Sequence, residues 1–207
     1  MRRRIHGLLR RSGALPLWQL GAELRKCGWI QSSRNSRAVS AEGLPLPWFT
    51  YGAIHFLESR LMPGFRVFEW GSGGSTTWWS ERAKEVVACE HDHTWYRRVA
   101  SSVGANVTVV ERALGEAYSG EIDAHGEFDI VVIDGRERVA CAVHAIGSLT
   151  PHGVIVWDNS DRTKYEPGLK LLTDHGFRSV EFFGLGPVLA EPWGTSIFYR
   201  PSNCLGL

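Results

Sequence analysis

A glycine-rich turn between an apolar run and two hydroxyl residues constrains this chain most. Residues 67–76 read VFEWGSGGST. The apolar start predicts a short buried strand, and the glycines predict a tight turn because glycine adopts positive φ without strain. Ser75 and Thr76 are residue types that cap a helix beginning there. The stretch therefore predicts a strand, a turn and a helix N-terminus, which is where open α/β sheets bind ligands.

Two common nucleotide-binding motifs do not match this turn. A phosphate-binding P-loop needs Gly-Lys-Ser/Thr, and the turn has no lysine. A dinucleotide fingerprint G-x-G-x-x-G needs a third glycine at the position of Thr76. What remains is an acid followed by three glycines, at Glu69, Gly71, Gly73 and Gly74. This pattern resembles the first motif of the class I S-adenosylmethionine-dependent methyltransferases.

Short apolar runs alternate with helical patterns along most of the chain. Strands are predicted over 65–70, 85–90, 107–110, 128–134, 153–158, 178–183 and 195–200, and helices over 47–60, 76–83, 94–103, 138–149 and 167–175. Continuous β-branched runs are typical of strands buried on both faces, as in parallel sheets. The alternation predicts an α/β fold, a three-layer sandwich with a Rossmann-like, mostly parallel seven-stranded sheet. The resemblance implies that the last strand is antiparallel.

The first 43 residues differ in composition from the rest. Residues 1–11 contain five arginines and no acid, and residues 31–43 are polar and rich in Ser and Arg. We predict a basic N-terminal leader and linker over 1–43 and one methyltransferase-like domain over 44–207. Two interpretations of the leader stay open. It is either a targeting or membrane-surface segment with weak contact to acidic lipid, or a solvated extension.

Charge, apolar content and cysteine spacing exclude several other classes. The net charge of +1 gives no overall attraction to nucleic acid, so no nucleic-acid partner is expected. No run reaches the roughly 18 apolar residues of a membrane span. The four cysteines are widely spaced without a C-x-x-C pair, so zinc and redox motifs are not indicated. A reducing, cytoplasmic location is predicted.

An acid at the end of the second predicted strand suits a ribose. Glu90 follows Gly71 by 19 residues. An acid about 20 residues after the turn, at the neighbouring strand tip, can accept both hydroxyls of a ribose. The resemblance implies a cofactor site for S-adenosylmethionine made of Glu69, Gly71, Ser72 and Gly73 at the methionine part, Glu90 at the ribose, Glu111, Arg112 and Ala113 at the adenine, and Asp134 beside them.

The fourth and fifth strands also end in polar residues. Asp134 ends one, and Asp158-Asn159 end the next. Adjacent parallel strands lie about 4.8 Å apart, so these side chains should converge. Two carboxylates and an amide oxygen suit Mg²⁺.

Their placement resembles the metal-binding Asp and Asp-Asn of the catechol and caffeoyl-CoA O-methyltransferases. The resemblance implies that Asp134, Asp158 and Asn159 bind metal and that Asp134 and Asp158 are catalytic. Those families have a lysine where this chain has Glu137, which leaves the usual proton acceptor in doubt. The alternative is that both aspartates orient cofactor and loop without a metal.

Arginines flank these strand ends. Arg136, Arg138 and Arg162 either hold an acidic substrate or pair with neighbouring acids. The sequence as a whole predicts a methyltransferase acting on an oxygen of a small-molecule or glycan-like acceptor. Three alternatives remain: a metal-free methyltransferase with another acceptor class, a Rossmann-type nucleotide-binding oxidoreductase, and a non-catalytic binding protein.

Overall fold

A computed structural model describes residues 13–207. Within this range the helices are α1 (Ala14–Lys26), α2 (Trp29–Asn35), α3 (Tyr51–Glu58), α4 (Gly74–Ser80), α5 (His93–Ala100), α6 (Glu116–Ser119), α7 (Arg138–Gly147) and α8 (Glu166–Asp174). The strands are β1 (Arg66–Trp70), β2 (Glu85–Glu90), β3 (Val107–Glu111), β4 (Phe128–Ile133), β5 (Leu149–Asp158), β6 (Arg178–Gly184) and β7 (Trp193–Tyr199). Two 3₁₀ turns span Glu121–Ala124 and Thr163–Tyr165.

All seven strands form one sheet in the order β3-β2-β1-β4-β5-β7-β6. Strands β1 to β5 pair in parallel, and β7 is antiparallel to both β5 and β6. Six strands therefore point one way and the last strand points the other way. The predicted α/β fold with an antiparallel last strand is confirmed.

The sheet is covered on both faces, which explains its unbroken apolar strands. In β4, Val131 and Ile133 belong to one core cluster and Ile130 and Val132 to the other, and all four are fully buried. Successive strand residues point to opposite faces, so both faces need apolar side chains. Helices α7 and α8 cover the first face, and α3 and α4 cover the second. The three predicted layers are present.

The fifth strand begins earlier than predicted. Helix α7 ends at Gly147 rather than at residue 149, and β5 starts at Leu149 rather than at residue 153 and runs through Pro151. The register between β4 and β5 shifts between Phe128 and Ile130. Proline is tolerated at such irregular positions because no ladder hydrogen bond is required of its nitrogen there.

The polar stretch 31–43, which is predicted to be a linker from its composition, contains regular structure. Helix α2 continues through Asn35, and Ser32 is fully buried. The Ser32 hydroxyl donates to the Val39 carbonyl (2.8 Å) and accepts from the Val39 amide (3.0 Å). These bonds fold residues 36–39 back against α2. The domain boundary at residue 43 stays a prediction, and residues 1–12 of the leader lie outside the described residues.

The contact between α8 and β5 can be tested with one methyl group. A Cβ added at Gly168 would lie 2.4 Å from the ring of Trp157, so Gly168→Ala should overpack the core. We expect a loss of about 1–3 kcal/mol. For a chain of this size that lowers the melting temperature by about 2–4 °C per kcal/mol. Gly147→Ala is the matched control, because nothing lies within 4 Å of its added Cβ. Equal melting temperatures for the two variants would contradict this packing.

Candidate functional site

The buried carboxylate of Glu69 supports the glycine turn through hydrogen bonds. Glu69 is fully buried, and its two oxygens accept hydrogen bonds from Ser75 Oγ (2.8 Å) and from Thr76 Oγ1. Thr76 Oγ1 in turn accepts from the Gly73 amide (2.9 Å). Burial raises the pKa of Glu69 to about 7. Glu69 therefore lies beneath the turn, where it sets the turn's shape through these hydroxyls.

The turn approaches the end of β4 closely. Gly71 has φ +92°, and a Cβ there would lie 3.1 Å from the Cα of Gly135. Only glycine meets both conditions, the left-handed backbone and the close approach. The tips of β1 and β4 are thereby brought together, so Asp134 lies beside the turn.

The Glu90 carboxylate at the end of β2 is buried and already accepts several hydrogen bonds. One oxygen accepts from the amides of His91 (2.8 Å) and Asp92 (3.0 Å). The other accepts from the Ser72 amide (3.1 Å) and hydroxyl (3.0 Å). Trp95 reaches over the same turn and donates from Nε1 to the Ser72 carbonyl (2.6 Å). Glu90 thus faces the turn, as predicted for a ribose-binding acid.

Three cavities meet at the strand ends. The turn cavity, about 420 Å³, is lined by residues 72–75, Trp95 and much of the segment 35–48. The tip cavity, about 450 Å³, is lined by Asp158, Asn159, Trp48 and Trp193, among others. The Glu90 cavity, about 690 Å³, is lined by Gly71, Glu90, Trp95 and Gly135, among others. Asp134 lines all three. Asp134 is therefore shared by the three cavities.

Asp134 and Asp158 are held by fixed donors. Asp158 is 3% exposed, and its Oδ1 accepts from Trp193 Nε1 (2.9 Å) and Thr195 Oγ1 (2.7 Å). Burial, and next the neighbouring Asp134 charge, raise the pKa of Asp158. Burial also raises the pKa of Asp134, and the charge of Arg138 opposes this rise. Both carboxyls therefore bind protons more tightly than free aspartate does.

Arg138 binds the strand ends and also lines the Glu90 cavity. It is 7% exposed and donates to Asp134 Oδ1 (2.9 Å), to the Asp134 carbonyl (2.8 Å), to the Gly135 carbonyl (3.0 Å) and to the Asp158 carbonyl. Of the two roles left open for the arginines, Arg138 has the structural one. Arg136 and Arg162 are exposed.

The remaining predicted ligands differ in position. Asn159 lines the tip cavity with Asp158. Glu137 accepts from the Gly115 amide (2.7 Å) and is the residue that precedes α7. Across residues 13–207, no group of three or more His, Cys, Asp or Glu side chains is arranged to hold a metal ion.

The predicted adenine residues are engaged elsewhere. The Glu111 carboxylate lies 2.9 Å from His93 Nδ1, and Arg112 pairs with Glu121 at 2.6 Å. The lining of the Glu90 cavity does not include residues 111–113. Their role as adenine contacts stays a prediction. No motif pointed to Trp95, which belongs to α5 and lies over the turn.

No protein-family model and no curated protein matches the chain. Solved structures do match. A Klebsiella pneumoniae protein provisionally named an O-methyltransferase is 13% identical over 93% of this chain and 99% of its own, with a TM-score of 0.60. A precorrin-6y C5,15-methyltransferase from Geobacter metallireducens is 18% identical over 72% of this chain and 85% of its own, with a TM-score of 0.59.

A third match is a Streptococcus mutans protein provisionally named a methyltransferase and solved with SAH. It is 13% identical over 70% of this chain and 94% of its own, with a TM-score of 0.53. The chain has the class I methyltransferase fold. At these identities the likeness is one of fold, and in the methyltransferase fold a ligand is expected at the carboxyl ends of the strands, where the three cavities lie.

The buried Glu69 makes stability depend on pH. Because its pKa is raised to about 7, the folded chain holds a proton that the unfolded chain releases near pH 4.5. Stability should fall as pH rises through this window, by on the order of 3 kcal/mol, and level off above it. Glu69→Gln should make the fall shallower in urea denaturation at a series of pH values. It should not abolish the fall, since Asp134 and Asp158 titrate in the same direction.

The exposed Glu116 gives a control for this experiment, since its side chain is 87% exposed. Glu116→Gln should leave the pH profile of stability unchanged. A profile for Glu69→Gln that coincides with the wild-type profile would show that Glu69 is ionised in the folded chain at neutral pH.

Proposed function

We propose that this chain is an S-adenosylmethionine-dependent methyltransferase that methylates an oxygen of a small-molecule or glycan-like acceptor. The observation that carries the proposal is the position of Asp134 at the junction of three cavities. One of them contains the ribose-type acid Glu90, and another contains the Asp158-Asn159 pair. A cofactor and an acceptor bound in adjoining cavities would meet beside one carboxylate.

The residues around the turn fit this cofactor. The Oε2 atom of Glu90 accepts a hydrogen bond from the Ser72 hydroxyl. In the complex, the two hydroxyls of the ribose would donate to the Glu90 carboxylate in place of the Ser72 hydroxyl. Gly73 has no side chain, and an added Cβ would meet only the Trp95 ring at 3.7 Å. The turn backbone is therefore open to a ligand on that side. When bound, S-adenosylmethionine supplies an activated methyl group on its sulfonium.

The tip cavity is the proposed acceptor site. Asp134 would accept the proton that the acceptor hydroxyl loses, because a carboxyl with a raised pKa is suited to proton transfer near neutral pH. Asp158, held through Oδ1 by Trp193 and Thr195, would orient the acceptor through its other oxygen. The rest of the rate enhancement comes from holding both reactants in line.

Of the two metal alternatives we propose the metal-free one. Arg138 supplies a fixed positive charge to Asp134 Oδ1 and to the Asp158 carbonyl. Asp158 Oδ1 already accepts two hydrogen bonds. A divalent ion would have to compete with these donors and with the adjacent guanidinium charge. The donor set therefore fits Mg²⁺ poorly, and Asp134 and Asp158 act through protons and hydrogen bonds.

The proposal also covers the extent of the domain, its location and its partner. The catalytic domain is proposed to span residues 44–207, in the cytoplasm, with a small molecule rather than nucleic acid as its partner. Thr76 argues against a nucleotide-binding oxidoreductase. It occupies the position of the third glycine of the dinucleotide fingerprint, and its hydroxyl donates a hydrogen bond to Glu69.

Cofactor binding is tested at Glu90. Titration calorimetry with S-adenosylhomocysteine should give about 10- to 100-fold weaker binding for Glu90→Ala, because charge-assisted bonds to a buried carboxylate are lost. Glu85→Ala is the matched control. It removes the same residue type from the other end of β2, where Glu85 pairs with Arg66. Unchanged affinity in Glu90→Ala removes Glu90 from the site, and heat from NAD in place of S-adenosylhomocysteine supports an oxidoreductase.

One experiment tests both the role of Asp134 in proton transfer and the independence of the reaction from a metal ion. Chelator-treated protein is incubated with methyl-labelled S-adenosylmethionine and a panel of small phenols and sugars, and the label transferred is measured. We expect transfer to a hydroxyl without added metal, and a loss of about 100-fold or more in Asp134→Asn. The affinity of Asp134→Asn for S-adenosylhomocysteine should change much less. Transfer that returns only with Mg²⁺ would contradict the metal-free mechanism.

A further inference from the structure

Helix α1 exposes large apolar side chains that the fold does not use. None of its residues is buried. Leu17 is 70% exposed, Trp18 68% and Leu20 54%. Leu17 and Leu20 are three positions apart and are neighbours on the helix surface, while Trp18 projects about 100° round the helix from Leu17. Exposed large apolar side chains on adjoining sides of one helix are typical of a docking site.

The charge of the chain is divided sharply at the end of this helix. Residues 1–26, called here the N-terminal segment, contain seven of the 23 basic residues and one of the 22 acids. The segment therefore has a formal charge of +6, and residues 27–207 have a formal charge of −5. An overall charge of +1 hides this division. A negatively charged surface would attract the segment and repel the rest of the chain.

Helix α1 is connected to the domain through its neighbour α2. Trp29, at the start of α2, donates from Nε1 to the Leu189 carbonyl at 2.8 Å. Helix α1 packs on α2, and its apolar residues Leu17, Trp18 and Leu20 remain exposed.

We propose that the N-terminal segment binds the surface of an anionic lipid bilayer. Leu17, Trp18 and Leu20 enter the headgroup region, where tryptophan is favoured, and the net positive charge of the segment attracts it to acidic lipid. Two weak signals, apolar insertion and basic charge, are together enough for stable surface binding. Among residues 13–207 no helix is long and apolar enough to cross a membrane. This inference does not depend on the proposed function.

A lipid surface explains both observations better than a protein partner does. An acidic protein partner would explain the basic charge but not the exposed Trp18. An apolar groove on a protein partner would explain Trp18 but not the uneven distribution of charge. An anionic bilayer offers negative charge and apolar depth at the same place.

Vesicle flotation of the full chain tests the inference. The vesicles are phosphatidylcholine alone, or phosphatidylcholine with phosphatidylglycerol in a ratio of about 2:1. We expect at least about tenfold more protein on the anionic vesicles, with the difference reduced at high salt. Leu17→Glu with Trp18→Glu should abolish flotation and leave the melting temperature unchanged, because α1 has no buried residue.

The matched control adds the same two negative charges elsewhere. Val143 on α7 is 57% exposed and Phe183 on β6 is 63% exposed, so Val143→Glu with Phe183→Glu changes charge and exposed apolar area to a similar extent. This variant should float like the wild type. The inference is overturned if the wild type stays off anionic vesicles, or if both double variants float equally. A dimer in solution that only the α1 variant loses would assign the surface to a second copy of the chain.

Discussion

A buried guanidinium ties together the two strand ends on which the site depends. Arg138 donates to carbonyls at the ends of β4 and β5 and to the Asp134 carboxylate. Its planar fork reaches several acceptors at once, which a lysine ammonium on a flexible stem does not. Since arginine stays charged, the link persists whether Asp134 and Asp158 are ionised or not. The spacing of the two tips is therefore insensitive to the protonation changes that the site undergoes.

The alternation of strands and helices could be predicted from the sequence because each central strand needs apolar residues on both faces. The acids at the strand ends could be predicted to lie together because parallel strands end at the same edge of the sheet. The role of Glu69 was harder to predict. Strand residues alternate between faces, so Phe68 and Trp70 pack into one core while Glu69 points to the other side, toward Ser75 and Thr76.

Contacts between distant parts of the chain were beyond sequence reasoning. The partners of Asp158 are Trp193 and Thr195, and they reach it because β7 pairs antiparallel with β5 in a register that sets Asp158 opposite Thr195. Nothing local to Asp158 encodes this pairing. The stretch 31–43 shows the same limit, because the Ser32 side chain makes its hydrogen bonds to the backbone of Val39.

Residues 35–48 bear on how much of the chain is needed to form the turn cavity. A Cβ at Gly74 would lie 2.9 Å from the Leu46 carbonyl, so this segment rests directly on the helix that follows the turn. It also forms a wall of the turn cavity. A chain shortened to start at residue 44 would keep every strand of the sheet and yet lose most of that wall. The segment before residue 44 adds no strand to the sheet and yet belongs to the structural unit that forms the turn cavity.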